Sequence, residues 1–198
     1  EVNLLEDHLV DLLIDVSASG ENVVEREGLS IRHPARFVLI GSGNPEEGEL
    51  RPQMLDRFGL SVEVRTPQDL AQRIDIIKRR DAFERDPVGF LAQYEDSETE
   101  FKEKILSSRK RLGKVTVGDD VLTLATKLCA QLGTDGLRGE LTLMRGMRAL
   151  AAFDGARKAT AEHLKRLAPL ALRHRLRRNP LDDSSSTTRV ERVLADFF

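Results

Sequence analysis

The 198-residue chain has one cysteine, Cys129. It cannot form an internal disulfide, and the composition fits a reducing compartment. No apolar run approaches the roughly 18 residues that would span a bilayer, so no transmembrane segment is expected. His8, His33, His163 and His174 lack metal-ligand spacing and no Cys/His cluster accompanies them, so no metal site is expected. The chain opens without methionine and without a signal-peptide pattern, inside what reads as a strand-to-helix junction at Glu1–Leu5. The expectation is a fragment of a longer polypeptide.

What is present is a soluble-type composition of one or two domains with an uneven charge. Residues 1–56 hold about eight more acids than bases, and 157–178 about seven more bases than acids. That basic segment admits three readings: nucleic-acid binding, a solvated helix face, or contact with an acidic neighbouring subunit. Cys129 lies in the apolar stretch VLTLATKLCA, with nothing nearby to lower its pKa, and reads as a buried thiol.

Apolar residues at Leu4, Leu5, Leu9, Leu12, Leu13 and Val16 follow the helical period over 3–18, and Gly20 ends the pattern. Val23, Val24, Leu29 and Ile31 flank Glu27-Gly28 as a β-hairpin. Phe37–Ile40, closed by Gly-Ser-Gly-Asn-Pro, reads as a strand of a covered parallel sheet. Residues 50–57 form a helical turn leading to a second strand at 60–65. Thr66 and Pro67 read as N-cap and first position of a helix that stops at Pro87. Beyond it lie helices at about 88–111, 118–132, 137–152, 160–176 and 187–197, a short strand at 114–117 and a polar linker at 179–186. The fold class is therefore α/β followed by all-α, with the change near Thr66.

Four residues could carry chemistry. Glu1 stands at what reads as the carboxyl end of a strand, where α/β sheets bind ligands; it could polarise a water, or simply face a helix dipole. Asn44 follows the 37–40 strand and could orient a water, or serve only the turn. Arg57, in Leu-Asp-Arg-Phe, offers a planar fork suited to phosphate oxygens, although Asp56 is adjacent. Arg138 opens a helix, where its charge adds to the positive helix end. The apolar stripe of that helix, Leu141, Met144, Met147, Leu150 and Ala151, reads as core.

In this order and spacing the four resemble the second half of an AAA+ module. The resemblance makes Glu1 the Walker B glutamate, Asn44 sensor 1, Arg57 the arginine finger and Arg138 sensor 2. The wording of the segments is closer still to the ATPase subunit of magnesium chelatase. EVNLLEDHLVDLLIDVSASGENVVEREGLSIRHPARFVLIGSGNPEEGELRPQMLDRFGLSVEV and GLRGELTLMRGMRALAAFDG carry that likeness. It implies the C-terminal part of an AAA+ parallel-sheet core over 1–66, connecting helices over 67–113 and a helical lid over 114–198. It also implies an ATP- and Mg²⁺-using ring, a hexamer by analogy, that drives Mg²⁺ insertion into protoporphyrin IX for chlorophyll or bacteriochlorophyll synthesis. The partners implied are the other two chelatase subunits, in bacterial cytoplasm or chloroplast stroma.

The glycine-rich phosphate loop with its Lys and Ser/Thr is not in this sequence, so the chain alone is expected to hydrolyse no ATP. A MoxR-like chaperone ATPase is the alternative within the superfamily, and a helicase-type nucleic-acid motor the alternative outside its chemistry. The hairpin carries Glu21, Glu25 and Glu27 against Arg26 and Arg32, unfavourable for tracking phosphates.

Overall fold

The computed structural model describes residues 1–48, 50–176 and 186–198. After a 3-10 turn at Val2–Leu4, helix α1 runs from Asp7 to Ser19 and closes on Gly20, whose left-handed φ of 74° lets its N–H reach Val16 O. The buried face of α1 is Val10 and Ile14, packed on Met54 of α2 (Pro52–Leu55) with Val2, Leu39, Leu50 and Phe58 around them. This corrects the expected stripe. Leu9, Leu12 and Leu13 are exposed, because a helical period marks an apolar face without saying which face has a partner.

Strands β1 (Glu21–Arg26) and β2 (Leu29–Pro34) form the expected antiparallel hairpin, in register from Glu21 opposite Pro34 to Arg26 opposite Leu29. Glu27 and Gly28 both take positive φ, 50° and 83°, the two-residue turn whose twist matches a hairpin. Among the described residues this hairpin is the only sheet. Residues 37–40 and 60–65 are not strands here, and Val38 and Ile40 are 86% and 88% exposed. A strand exists only through its ladder partner, and the described residues supply none for either segment.

Helix α3 runs from Leu70 to Arg85, not from Thr66: Asp69 is the cap, its carboxylate accepting from Ala71 N at 3.1 Å. A carboxylate nearer the first turn displaces the Thr-Pro start. Asp86 ends α3 and caps α4 (Pro87–Ala92) by accepting from Gly89 N at 2.9 Å. A break at Gln93 and Tyr94 splits the single helix expected over 88–111 into α4 and α5 (Glu95–Leu112). No residue of α3 is buried, and its surface is laced by i,i+4 pairs of Arg79–Asp75, Arg80–Glu84 and Arg85–Asp81.

The main core belongs to α6 (Asp119–Leu132), α7 (Arg138–Phe153), α8 (Ala161–Leu172) and α9 (Ser186–Phe197). Leu128, Leu132, Leu143, Met147, Leu164, Leu172 and Val190 are fully buried there. At about 25 cal/mol per Å² of apolar surface removed from water, burying such side chains is the main stabilisation of the bundle. On α7 the buried positions are Gly139, Leu143, Met147, Ala151 and Ala152. Leu141, expected in the stripe, is exposed. The expected strand at 114–117 is reduced to one parallel bridge, Thr116 with Lys158. Helix α8 ends at Leu172, four residues before its expected end, and one 3-10 turn carries Arg173–Arg175. The linker expected over 179–186 lies outside the described residues except for Ser186, which opens α9.

The first segment touches the bundle at defined points. Ser61 N donates to Leu170 O at 2.8 Å, and Arg173 pairs with Glu63 at 2.9 Å.

Candidate functional site

Glu1 and Asn44 lie on adjoining segments. Val2 N donates to Ser42 O at 2.7 Å, the chain's amino terminus donates to Ser42 Oγ at 3.1 Å, and Asn3 Nδ2 donates to Asn44 O at 3.2 Å. The two segments approach closely at Gly41 and Gly43. A Cβ on Gly43 would stand 2.9 Å from Asn3 Oδ1, and one on Gly41 would stand 3.3 Å from Val2 Cγ1. The Asn44 side chain meanwhile does turn chemistry: its Oδ1 accepts from Glu46 N at 3.2 Å and caps the 3-10 turn at Pro45–Glu47. Asn3 Oδ1 is buried beside Gly43 with no hydrogen-bond partner among the described residues.

Arg57 is on the exposed side of the turn after α2. Its Nη1 bridges two carboxylates one turn apart on α1, Asp11 at 3.0 Å and Asp15 at 2.9 Å, and the arginine side chain is 37% exposed. Arg138, in the first turn of α7, pairs with the Asp56 carboxylate. The structure thus brings together Glu1 with the Asn44 loop, and the Arg57 turn with Arg138 through Asp56. Phe58 lies between the two groups, its Cε1 3.6 Å from a Cβ position on Gly41. No hydrogen bond or ion pair among the described residues joins Glu1 or Asn44 directly to either arginine.

Residues 122–193 match the AAA lid domain family. The whole chain is 64% identical over 198 residues to the magnesium-chelatase 38 kDa subunit of Acidiphilium rubrum, covering 100% of this chain and 57% of that protein. It is 59% identical over 196 residues to the 38 kDa subunit of Rhodobacter capsulatus, covering 99% of this chain and 56% of that protein. Over its whole length the chain is a homologue of the magnesium-chelatase 38 kDa subunit.

The chain spans just over half the length of those relatives. A solved ATPase structure from Cytophaga hutchinsonii, 18% identical, overlays with TM-score 0.70 over 98% of this chain and 63% of its own, a likeness of fold. A chain from a complex of the BchI and BchD subunits of magnesium chelatase is 55% identical over 96% of this chain and 58% of its own. Its TM-score is 0.35, so that relation is one of sequence.

In this chelatase-subunit homologue the residue that sequence reasoning missed is Arg175. Its side chain is 2% exposed, and its Nη1 meets Asp56 Oδ1 at 2.5 Å. Nothing in RHRLRR distinguishes it locally. Helix α8 buries Leu164, Ala168, Ala171 and Leu172, and one further turn brings Arg175 to the same face, so periodicity was the available signal. Burial pushes the Arg175 guanidinium below its ordinary pKa, and Asp56 pulls it back up. The neighbouring His174 presents Nε2 to Phe58 O at 2.9 Å, and burial lowers its pKa as well. Basic residues from 157 to 175 meet acids of the same chain: Lys158 with Asp120, Arg166 with Asp154, Arg173 with Glu63 and Arg175 with Asp56. Among the described residues no group of three or more His, Cys, Asp or Glu is arranged to hold a metal ion. No described helix is long and apolar enough to cross a membrane.

Proposed function

We propose that this chain is the C-terminal portion of the ATP-hydrolysing motor subunit of magnesium chelatase, which couples ATP turnover to Mg²⁺ insertion into protoporphyrin IX. Identity to the 38 kDa subunits over the whole chain is the observation that carries the proposal. One observation supports the mechanism: the segment opening at Glu1 is hydrogen-bonded to the loop holding Asn44. Residues 1–66 would complete the nucleotide-binding core, 67–113 connect, and 114–198 form the lid.

In this reading Glu1 polarises the attacking water and Asn44 orients it or senses the terminal phosphate. These side chains suit the γ-phosphate end of ATP. The phosphate grip and the Mg²⁺ ligands come from elsewhere in the polypeptide, since the glycine-rich loop is not in this sequence. Mg²⁺, when bound there, neutralises charge on the β- and γ-phosphoryl oxygens. Arg57 completes the site of an adjacent protomer in a ring, a hexamer by analogy with AAA+ motors, and Arg138 reports nucleotide state to the lid. Arg57 would exchange Asp11 and Asp15 for phosphate oxygens. Those pairs are partly exposed and worth about 0.2–1 kcal/mol each, so little opposes the exchange. The remaining partners are the other chelatase subunits, for which the BchI–BchD complex is the precedent by sequence. The compartment is bacterial cytoplasm or chloroplast stroma. The relatives do not favour a MoxR-like chaperone or a helicase.

The test is Arg57→Ala in the full-length polypeptide. Nucleotide binding should persist while hydrolysis falls by about a thousandfold or more, and mixing with wild type should depress turnover beyond dilution. Wild-type turnover by Arg57→Ala would remove the trans-acting role.

A further inference from the structure

We propose, resting on that reading, that Arg175 is a positioning residue for Arg57: it clamps the turn that carries Arg57 onto the lid, so that lid and finger move as one piece.

The clamp uses every nitrogen of the guanidinium. Nε donates to Ala171 O at 2.9 Å, at the end of α8. Nη1 donates to the Asp56 carboxylate at 2.5 Å and also to the Asp56 carbonyl. Nη2 donates to Phe58 O at 2.8 Å, and lies 3.4 Å from both Gly59 O and Thr142 Oγ1. Three backbone carbonyls of one turn, at Asp56, Phe58 and Gly59, are therefore held by a side chain more than a hundred positions away. Arg57 lies between the first two. Its own guanidinium is not touched, so the effect is on where its backbone stands and which way its side chain leaves.

A buried arginine is a poor device for stability alone, because an apolar side chain of similar volume in its place is often as stabilising or more so. What the planar fork supplies is geometry: donors in fixed directions that no lysine reproduces. His174 adds a second grip on the same Phe58 carbonyl at 2.9 Å. The Asp56 carboxylate takes Arg175 on Oδ1 and Arg138 on Oδ2. A change at Arg138 therefore reaches the Arg57 turn through an oxygen pair whose other member is fixed by Arg175.

The test uses the full-length polypeptide with Arg175→Lys, which keeps the charge and loses the fork. Expected are a kcat for ATP at least about tenfold lower, with KM within roughly twofold of wild type. Mixtures of Arg175→Lys with wild type should lose turnover more steeply than the mutant fraction, as Arg57→Ala mixtures should. A merely structural role would lower the folded fraction and leave the folded enzyme's kcat and the mixing curve proportional. A folded Arg175→Lys protein with kcat within roughly twofold of wild type, or a linear mixing curve, overturns the proposal. If Arg175→Lys does not fold, His174→Ala, which removes only the second grip on Phe58, should lower kcat severalfold at unchanged KM; an unchanged kcat overturns the proposal by that route. The motor reading is separable. If Arg57→Ala abolishes hydrolysis while these variants do not, only the positioning role falls.

Discussion

Asp56 and Arg175 stand 119 positions apart in the chain and meet as an ion pair of 2.5 Å, with the arginine buried and the aspartate about one-third exposed. The pair joins the turn after α2 to the 3-10 turn that follows α8, so it is a buried polar joint between the first segment and the helical bundle.

Removing the acid leaves a guanidinium in the interior with its main counter-charge gone, which is more damaging than never having buried it. Asp56→Ala should cost roughly 2–3 kcal/mol, below the range for a fully enclosed pair because Asp56 reaches solvent. Arg138→Ala removes the partner on the open side, half exposed itself, and should cost about 1 kcal/mol or less. Denaturant unfolding of the full-length polypeptide compares the two. Equal losses would mean that Arg175 is satisfied without its carboxylate.

Beside this joint, His174 is held neutral. Burial is the largest cause of its lowered pKa, and the charge of Arg175 adds to it, while the Phe58 carbonyl and Asp56 act the other way. Its Nδ1 is buried without a partner among the described residues, so protonation there would place a charge away from any of their acceptors. The native pKa lies below the ordinary 6.5, so the unfolded chain takes up a proton before the native one does. Stability from this group is complete above about pH 6.5 and is lost as pH falls from there through the lowered native value. Unfolding free energies measured at about pH 5.5 and about pH 7.5 should differ more for wild type than for His174→Gln. A slope that survives the substitution would assign the effect to other groups.

The apposition of Glu1 and Asn44 depends on an absent side chain. A methyl on Gly43 would stand 2.9 Å from Asn3 Oδ1, closer than Cβ atoms are found, and Asn3 donates to Asn44 O. Gly43→Ala should therefore displace the Asn3 side chain from Asn44 O and lower ATP turnover severalfold, since small misplacements near reacting groups are costly. Gly113→Ala is the control: nothing lies within 4 Å of its Cβ position, and its φ of −68° suits any residue. Turnover assays on the full-length polypeptide decide the matter, and unchanged activity in Gly43→Ala would show that the contact is slack.

Much of this was legible in the sequence, for a reason that also marks where legibility ended. The bundle helices and the Glu27-Gly28 hairpin announce themselves through local period, caps and turn residues, and they form close to where they were expected. Residues 37–40 and 60–65 have the composition of strands, but a strand is a relation between segments and no ladder partner lies among the described residues. Thr66 and Asp69 are both competent caps, and only the hydrogen bond from Ala71 N to Asp69 separates them. The order of Glu1, Asn44, Arg57 and Arg138 could be read. For Arg175 the one signal was the α8 period carried a turn further, and what the inward-facing arginine meets there is set by the far turn.

Cys129 gives the bundle an internal probe. Its thiol is fully buried on α6, and burial, with the charge of Glu140 adding to it, pushes its pKa up to about 12. The thiolate is the reactive form, so at about pH 8 the native thiol has almost none to offer a reagent. Alkylation of the Cys129 peptide, followed by mass spectrometry, should therefore report opening of the helical bundle and nothing faster. Labelling should accelerate with denaturant in step with bundle unfolding, and should be faster in Asp56→Ala if the Arg175 joint supports α8. Rapid stoichiometric labelling of Cys129 in the native protein would contradict the closed core that it shares with Leu128, Leu132 and Leu172.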